Sequence, residues 1–124
     1  MTDRYNPELF LSEEAIVAHA RERFQEMRDR ALERGESQLE ADLYGVAESS
    51  TSIGYAPFRN PDCRQAVRTV VQFWNEQAPE ACQTIIKYNA TSLDAGHGTL
   101  PGGRLIVEIA RELGIYPKPE KQQL

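Results

Sequence analysis

The chain has 124 residues, 40% of them hydrophobic and 8% aromatic, and a formal net charge of −5. That length suits one domain, which can bury roughly two-thirds of its unfolded surface without disulfide or metal staples. The composition argues against disorder in the middle of the chain, and no apolar run approaches the ~20 residues of a membrane-spanning helix.

The charge is uneven. Residues 1–50 carry 6 Lys+Arg against 12 Asp+Glu, and residues 51–124 carry 8 against 7. Neither part has the dense positive charge that tracks phosphates, so nucleic acid is not the expected partner. The N-terminus lacks the charged-then-apolar pattern of a secretory signal, and a cytoplasmic location is expected.

Residues 1–11 read as an extended tail, broken by Asn6-Pro7 and ending in the apolar run Leu9, Phe10, Leu11. Ser12 is a candidate N-cap, with Glu13 and Glu14 on the positive end of the helix dipole. The first helix should run to about Arg34, with Gly35 as its stop. Val17, Ala20, Phe24, Met27 and Ala31 alternate by three and four and form a seam flanked by Arg21, Arg23, Arg28 and Arg30. The seam is expected to pack inside its own domain, and His19 to lie on the solvated face.

Ser37 can cap a second helix over residues 38–48, with Leu39, Leu43 and Val46 inward and Glu36, Glu40, Asp42 and Glu48 beside them. The short turn at Gly35 predicts an antiparallel hairpin. Arg23, Arg28 or Arg30 should meet Glu40, Asp42 or Glu48, with Phe24 opposite Ala47. Residues 49–59, beginning Ser-Ser-Thr-Ser and holding Gly54 and Pro57, read as a loop. Ile53, Tyr55 and Phe58 would pin that loop to the core; the functional alternative is an aromatic contact patch.

Residues 61–77 are the predicted central helix, with Asn60 as cap and Pro61 in the first turn. Cys63, Val67, Val70, Val71 and Trp74 make its apolar stripe, widened by Ala66 and Phe73. Pro79 opens a fourth helix carrying Ala81, Cys82, Ile85 and Ile86, which should end near Asn89. Residues 90–100 read as irregular. A fifth helix follows from residue 101 or 102 to Leu113, stopped by Gly114, and an extended tail over 115–124 holds Ile115 and Tyr116. The fold class is therefore all-α: one domain, a compact bundle of about five helices around helix 61–77. Cys63 and Cys82 are expected not to be bridged, because a hairpin turning near Gln77 offsets them by ~13 Å.

The most unusual stretch is Asp94-Ala-Gly-His-Gly-Thr-Leu-Pro-Gly-Gly-Arg104, with four of the eight glycines. Gly98 and Gly103 have the spacing of a phosphate-cradling loop, whose backbone N–H groups would face an anion. Arg104 stands where that motif has Lys, Leu105 where it has a hydroxyl, and no buried strand leads in. Asp94, His97, Gly98, Gly102, Gly103 and Arg104 are nonetheless the candidate ligand-binding residues, with His97 and Asp94 as a conceivable acid–base pair. No spacing supports a metal site, and no cofactor is implied.

Helix 5 and Gly114 resemble the first helix and turn of a helix-turn-helix, but Ile-Tyr-Pro-Lys-Pro stands where a recognition helix should begin. The leading expectation is a small acidic, non-enzymatic interaction or assembly protein, a profile shared by accessory proteins of phages and mobile elements. It would bind a protein partner or a second copy, with Phe10, Tyr55, Phe58 and Tyr116 as candidate contacts. The alternatives are a small-ligand or anion-binding protein or enzyme using loop 94–104, and a DNA-binding protein with a truncated helix-turn-helix.

Overall fold

The structure, a computed structural model, describes residues 12–59, 63–100 and 102–116, with the backbone alone for 55–59. Five α-helices and no strand appear among the described residues: α1 (Glu13–Glu33), α2 (Gln38–Arg59), α3 (Arg64–Gln77), α4 (Pro79–Asp94) and α5 (Gly103–Glu112). None of the described helices is long and apolar enough to cross a membrane.

Local signals set most boundaries. The Ser12 side chain accepts the Ala15 N–H at 3.0 Å, capping α1. Ser37 and Glu40 form a reciprocal capping box at the start of α2. Three helices end alike: the N–H after each terminal glycine reaches back to the last full turn. These bonds are Glu36 to Ala31, His97 to Ser92 and Ile115 to Ala110, with Gly35, Gly96 and Gly114 at φ of 90°, 77° and 76°. Glycine stands there because side-chain-bearing residues pay a steric penalty in the left-handed region.

α1 and α2 form the expected antiparallel hairpin. Arg23 meets Glu48 at 2.9 Å and Arg28 meets Asp42 at 3.8 Å. The register is about two residues tighter than expected: Phe24 lies against Gly45, where an added Cβ would sit 2.9 Å from the Phe24 carbonyl oxygen. The seam packs inward, but Ile16 is fully buried where Val17 is only half-buried, and His19 is buried rather than solvated.

Three boundaries differ from expectation. α2 does not stop at residue 48 but continues through 49–59, so that segment is helix, not loop. The reason is packing. Ser49, Ser50 and Ser52 are buried, and small side chains let neighbouring helices approach closely. Ser49 donates to the Ala20 carbonyl at 2.7 Å and accepts from the Trp74 indole N–H at 2.9 Å. Tertiary bonding overrides the weak helical propensity of the serines. α4 likewise runs past Asn89 to Asp94, because Ala90 is buried and Leu93 packs on the core. α3 begins at Arg64, with Cys63 as its cap; Asn60, Pro61 and Asp62 lie outside the described residues.

α3 packs on α1, α4 and α5, and α4 packs on α2, α3 and α5, so the two share the centre of the bundle. Ala66, Val67, Val70, Val71 and Trp74 of α3 are buried, and Phe73 meets Phe24 edge-on at 5.3 Å. Cys63 and Cys82 are both buried and are not joined to each other. Burial pushes the Cys82 thiol up to about 12.

Candidate functional site

The connection from α4 to α5 holds the residues singled out by composition. Gly96 makes the left-handed turn that ends α4. Gly102 is also left-handed, at φ 76°, and an added Cβ there would lie 2.9 Å from the Ile53 methyl. At Gly103 an added Cβ would lie 2.6 Å from the Thr99 side chain and 2.7 Å from Asn89 Oδ1. Asn89 is itself buried and accepts the Leu100 N–H at 3.0 Å, tying the connection down. Three of the four glycines therefore answer to the fold, Gly96 by its left-handed turn and Gly102 and Gly103 by close contacts; Gly98 has neither a positive φ nor a neighbour that a Cβ would meet.

The other candidates from this stretch are surface groups. His97 is exposed, and its backbone N–H completes the α4 stop. Asp94 and Arg104 are exposed and line one small cleft of about 270 Å³ with Ala90, Leu93, Val107, Glu108 and Arg111. Each carries the wrong sign for its own helix end: Asp94 closes α4 and Arg104 opens α5. Arg104 also lines a neighbouring cleft of about 310 Å³ with Thr99, Gly102 and Gly103. His97 and Gly98 line neither cleft.

Among the contact candidates, Tyr116 is half-buried on the body of the domain. Its N–H reaches Ala110, and Arg111 lies over its ring at 5.8 Å. Gln83 donates to the Ile115 carbonyl beside it. Ile115 and Tyr116 thus continue the α5 stop. Phe10, and the side chains of Tyr55 and Phe58, lie outside the described residues, as do tails 1–11 and 117–124.

A larger open concavity lies elsewhere. Glu13, Glu14, Val17, Ala18, Arg21 and Glu22 of α1 face Gln65, Ala66 and Thr69 of α3 across a groove of about 650 Å³. Its floor is apolar: Val17, Ala18, Ala66 and the Thr69 side chain, whose hydroxyl is taken by the Gln65 carbonyl at 3.1 Å. Arg21 lies over the Phe73 ring at 4.8 Å. The groove arises because both helices carry more apolar surface than one stripe. On α1, Ile16 points into the core and leaves Val17 and Ala18 beside it. On α3, Ala66, Thr69 and Phe73 run parallel to Val67, Val70 and Trp74. That second stripe was readable in the sequence, though it looked only like a broadening of the first.

A different surface is knitted by charge. Arg64 pairs with Glu112 and with Glu108 at 3.3 Å, and Arg68 reaches Glu112 at 3.5 Å. The bond to Glu112, then that to Glu108, raises the Arg64 pKa above its ordinary value. These exposed pairs fix the α3–α5 orientation more than they stabilise it. No group of three potential metal ligands occurs among the described residues. Comparison with protein-family models, curated proteins and solved structures finds no match to this chain.

Proposed function

We propose that this protein is a small acidic docking module that receives a polypeptide in the α1–α3 groove and acts by holding it rather than by catalysis. The supporting observation is the groove: a concave apolar floor that the described residues leave uncovered, rimmed by charge. Loop 94–104 offers less for a ligand. Three of its four glycines have packing or turn uses, and His97 lies outside the small cleft that Asp94 and Arg104 share. A reducing, cytoplasmic setting suits two buried cysteines that are not joined.

A photo-crosslinking amino acid at position 18, introduced in the native cell, tests the reading. Irradiation is expected to give a discrete polypeptide adduct. The same residue at position 97 should give none. Absence of any polypeptide adduct at position 18 would remove the docking function.

A further inference from the structure

We infer that the groove takes an amphipathic helix from a different protein, with an apolar face flanked by Lys or Arg. This rests on the docking reading above and names its partner class.

Shape favours a helix. The lining residues of α1 run from Glu13 to Glu22, about 14 Å at 1.5 Å per residue, or two to three helical turns. A compact ligand needs most of its surface enclosed, which a trough open along one side does not provide. A helix laid in the trough buries one face and keeps the other in water. The alanines at 18 and 66 leave room for large side chains from the partner.

Charge selects the flanks. The rim holds three carboxylates, Glu13, Glu14 and Glu22, against the single cation Arg21, which lies over Phe73. None of the three has an ion-pair partner among the described residues. By contrast, Asp42 and Glu48 each meet an arginine across the hairpin, and Glu26 meets arginines of its own helix. Glu13 and Glu14 also serve the α1 dipole, whereas Glu22, in mid-helix, has no such local use. A basic flank is steered onto this rim and an acidic one is repelled, which fixes orientation and speeds association.

Two synthetic peptides of about 16 residues provide the probe, long enough to be helical. Both carry Leu at i, i+3, i+4 and i+7; one has Lys flanks and its twin has Glu. Binding is followed through backbone amide shifts of the full chain. The Lys peptide is expected to shift Val17, Ala18, Ala66 and Thr69. Replacing Glu13, Glu14 and Glu22 together by Gln should weaken it about tenfold, as three exposed pairs predict. Ala18→Arg should abolish it with the fold retained. Equal binding of the twins, shifts away from the groove, or no loss in the triple variant would each overturn the proposal.

The position-18 adduct separates this from the docking reading. A foreign segment with Lys or Arg at helical spacing supports both. A foreign segment without them, a second copy of this chain, or an internal adduct to residues 1–11 overturns the basic-helix proposal. An adduct with no polypeptide in it overturns the docking reading as well.

Discussion

The α4–α5 connection and the α1–α3 groove are opposites in residue type and in use. The connection has the glycines, the histidine and the arginine that ordinarily signal chemistry, yet most of its residues are occupied by turning the chain and packing it. The groove is built largely of Val, Ala, Thr and Glu, residues that suggest nothing, and the described residues leave its apolar floor uncovered. Residue type reports what a position tolerates. Which positions remain free for a partner is set by how helices pair, and pairing is a tertiary fact.

If that contrast is right, the connection is intolerant of change. The largest effect is expected for Gly103→Ala, where the new methyl would meet Thr99 and Asn89 at 2.6–2.7 Å in a buried position. Overpacking of this kind costs about 1–3 kcal/mol, and Gly102→Ala adds left-handed strain to its contact with Ile53. Both should lower Tm by roughly 5–15 °C. A thermal melt of either variant that overlays the wild type would break the comparison.

Next in size is an alkaline loss of stability from α4. The Cys82 thiol ionises at about 12 in the folded protein against 9.0 for an ordinary thiol, because burial penalises the thiolate. The unfolded state therefore releases its proton first. The thiol's contribution is fully present below pH 9 and is lost as pH rises towards 12, at about 1.4 kcal/mol per pH unit. Urea unfolding at pH 8 and pH 10.5 should show a drop that Cys82→Ala lacks. Identical pH slopes for the two proteins would mean that Cys82 is more accessible than its packing indicates.

How far the sequence carried depended on the range of the signal. Ser12, Gly35, Ser37 and Gly114 act through bonds within a few residues, and each was readable. So were the hairpin and its arginine–carboxylate pairs, although the register is two residues tighter than the turn alone implies. The stop at Gly96 was missed because Asn-Ala-Thr-Ser lowered helical propensity just before it, and only burial of Ala90 and Leu93 carries α4 through. The helical state of residues 49–59 depends on α1 and α3: Ser49 bonds to Ala20 and Trp74, distant in sequence. The groove was hidden for the same reason, because neither helix shows alone which of its two stripes stays uncovered.

That long-range bonding is itself measurable. Trp74→Phe keeps the ring packing but removes the indole donor, leaving Ser49 bonded only through its own hydroxyl hydrogen. The expected loss is about 0.5–1.5 kcal/mol, the net worth of one hydrogen bond. It should be largely absent in a Ser49→Ala background, since the partner is already gone. Full additivity of the two substitutions would show that the Trp74–Ser49 bond does not hold the second half of α2 to the core.

The smallest effect is expected at Gly98, and it divides the two readings of the connection most sharply. Gly98 is absent from the left-handed residues, and an added Cβ there meets nothing within 4 Å. Alanine at such a position restricts the unfolded chain without straining the folded one, so Gly98→Ala should be neutral or stabilise by up to about 1 kcal/mol. An anion cradle predicts the reverse, because a methyl group in a phosphate-wrapping turn blocks the close approach of the backbone N–H groups. Thermal melts of wild type, Gly98→Ala and Arg104→Ala with and without phosphate separate the cases. Equal and negligible phosphate shifts in all three proteins are expected of a structural turn. A phosphate shift present in wild type and lost in both variants would restore the connection as a binding site and take away the contrast with the groove.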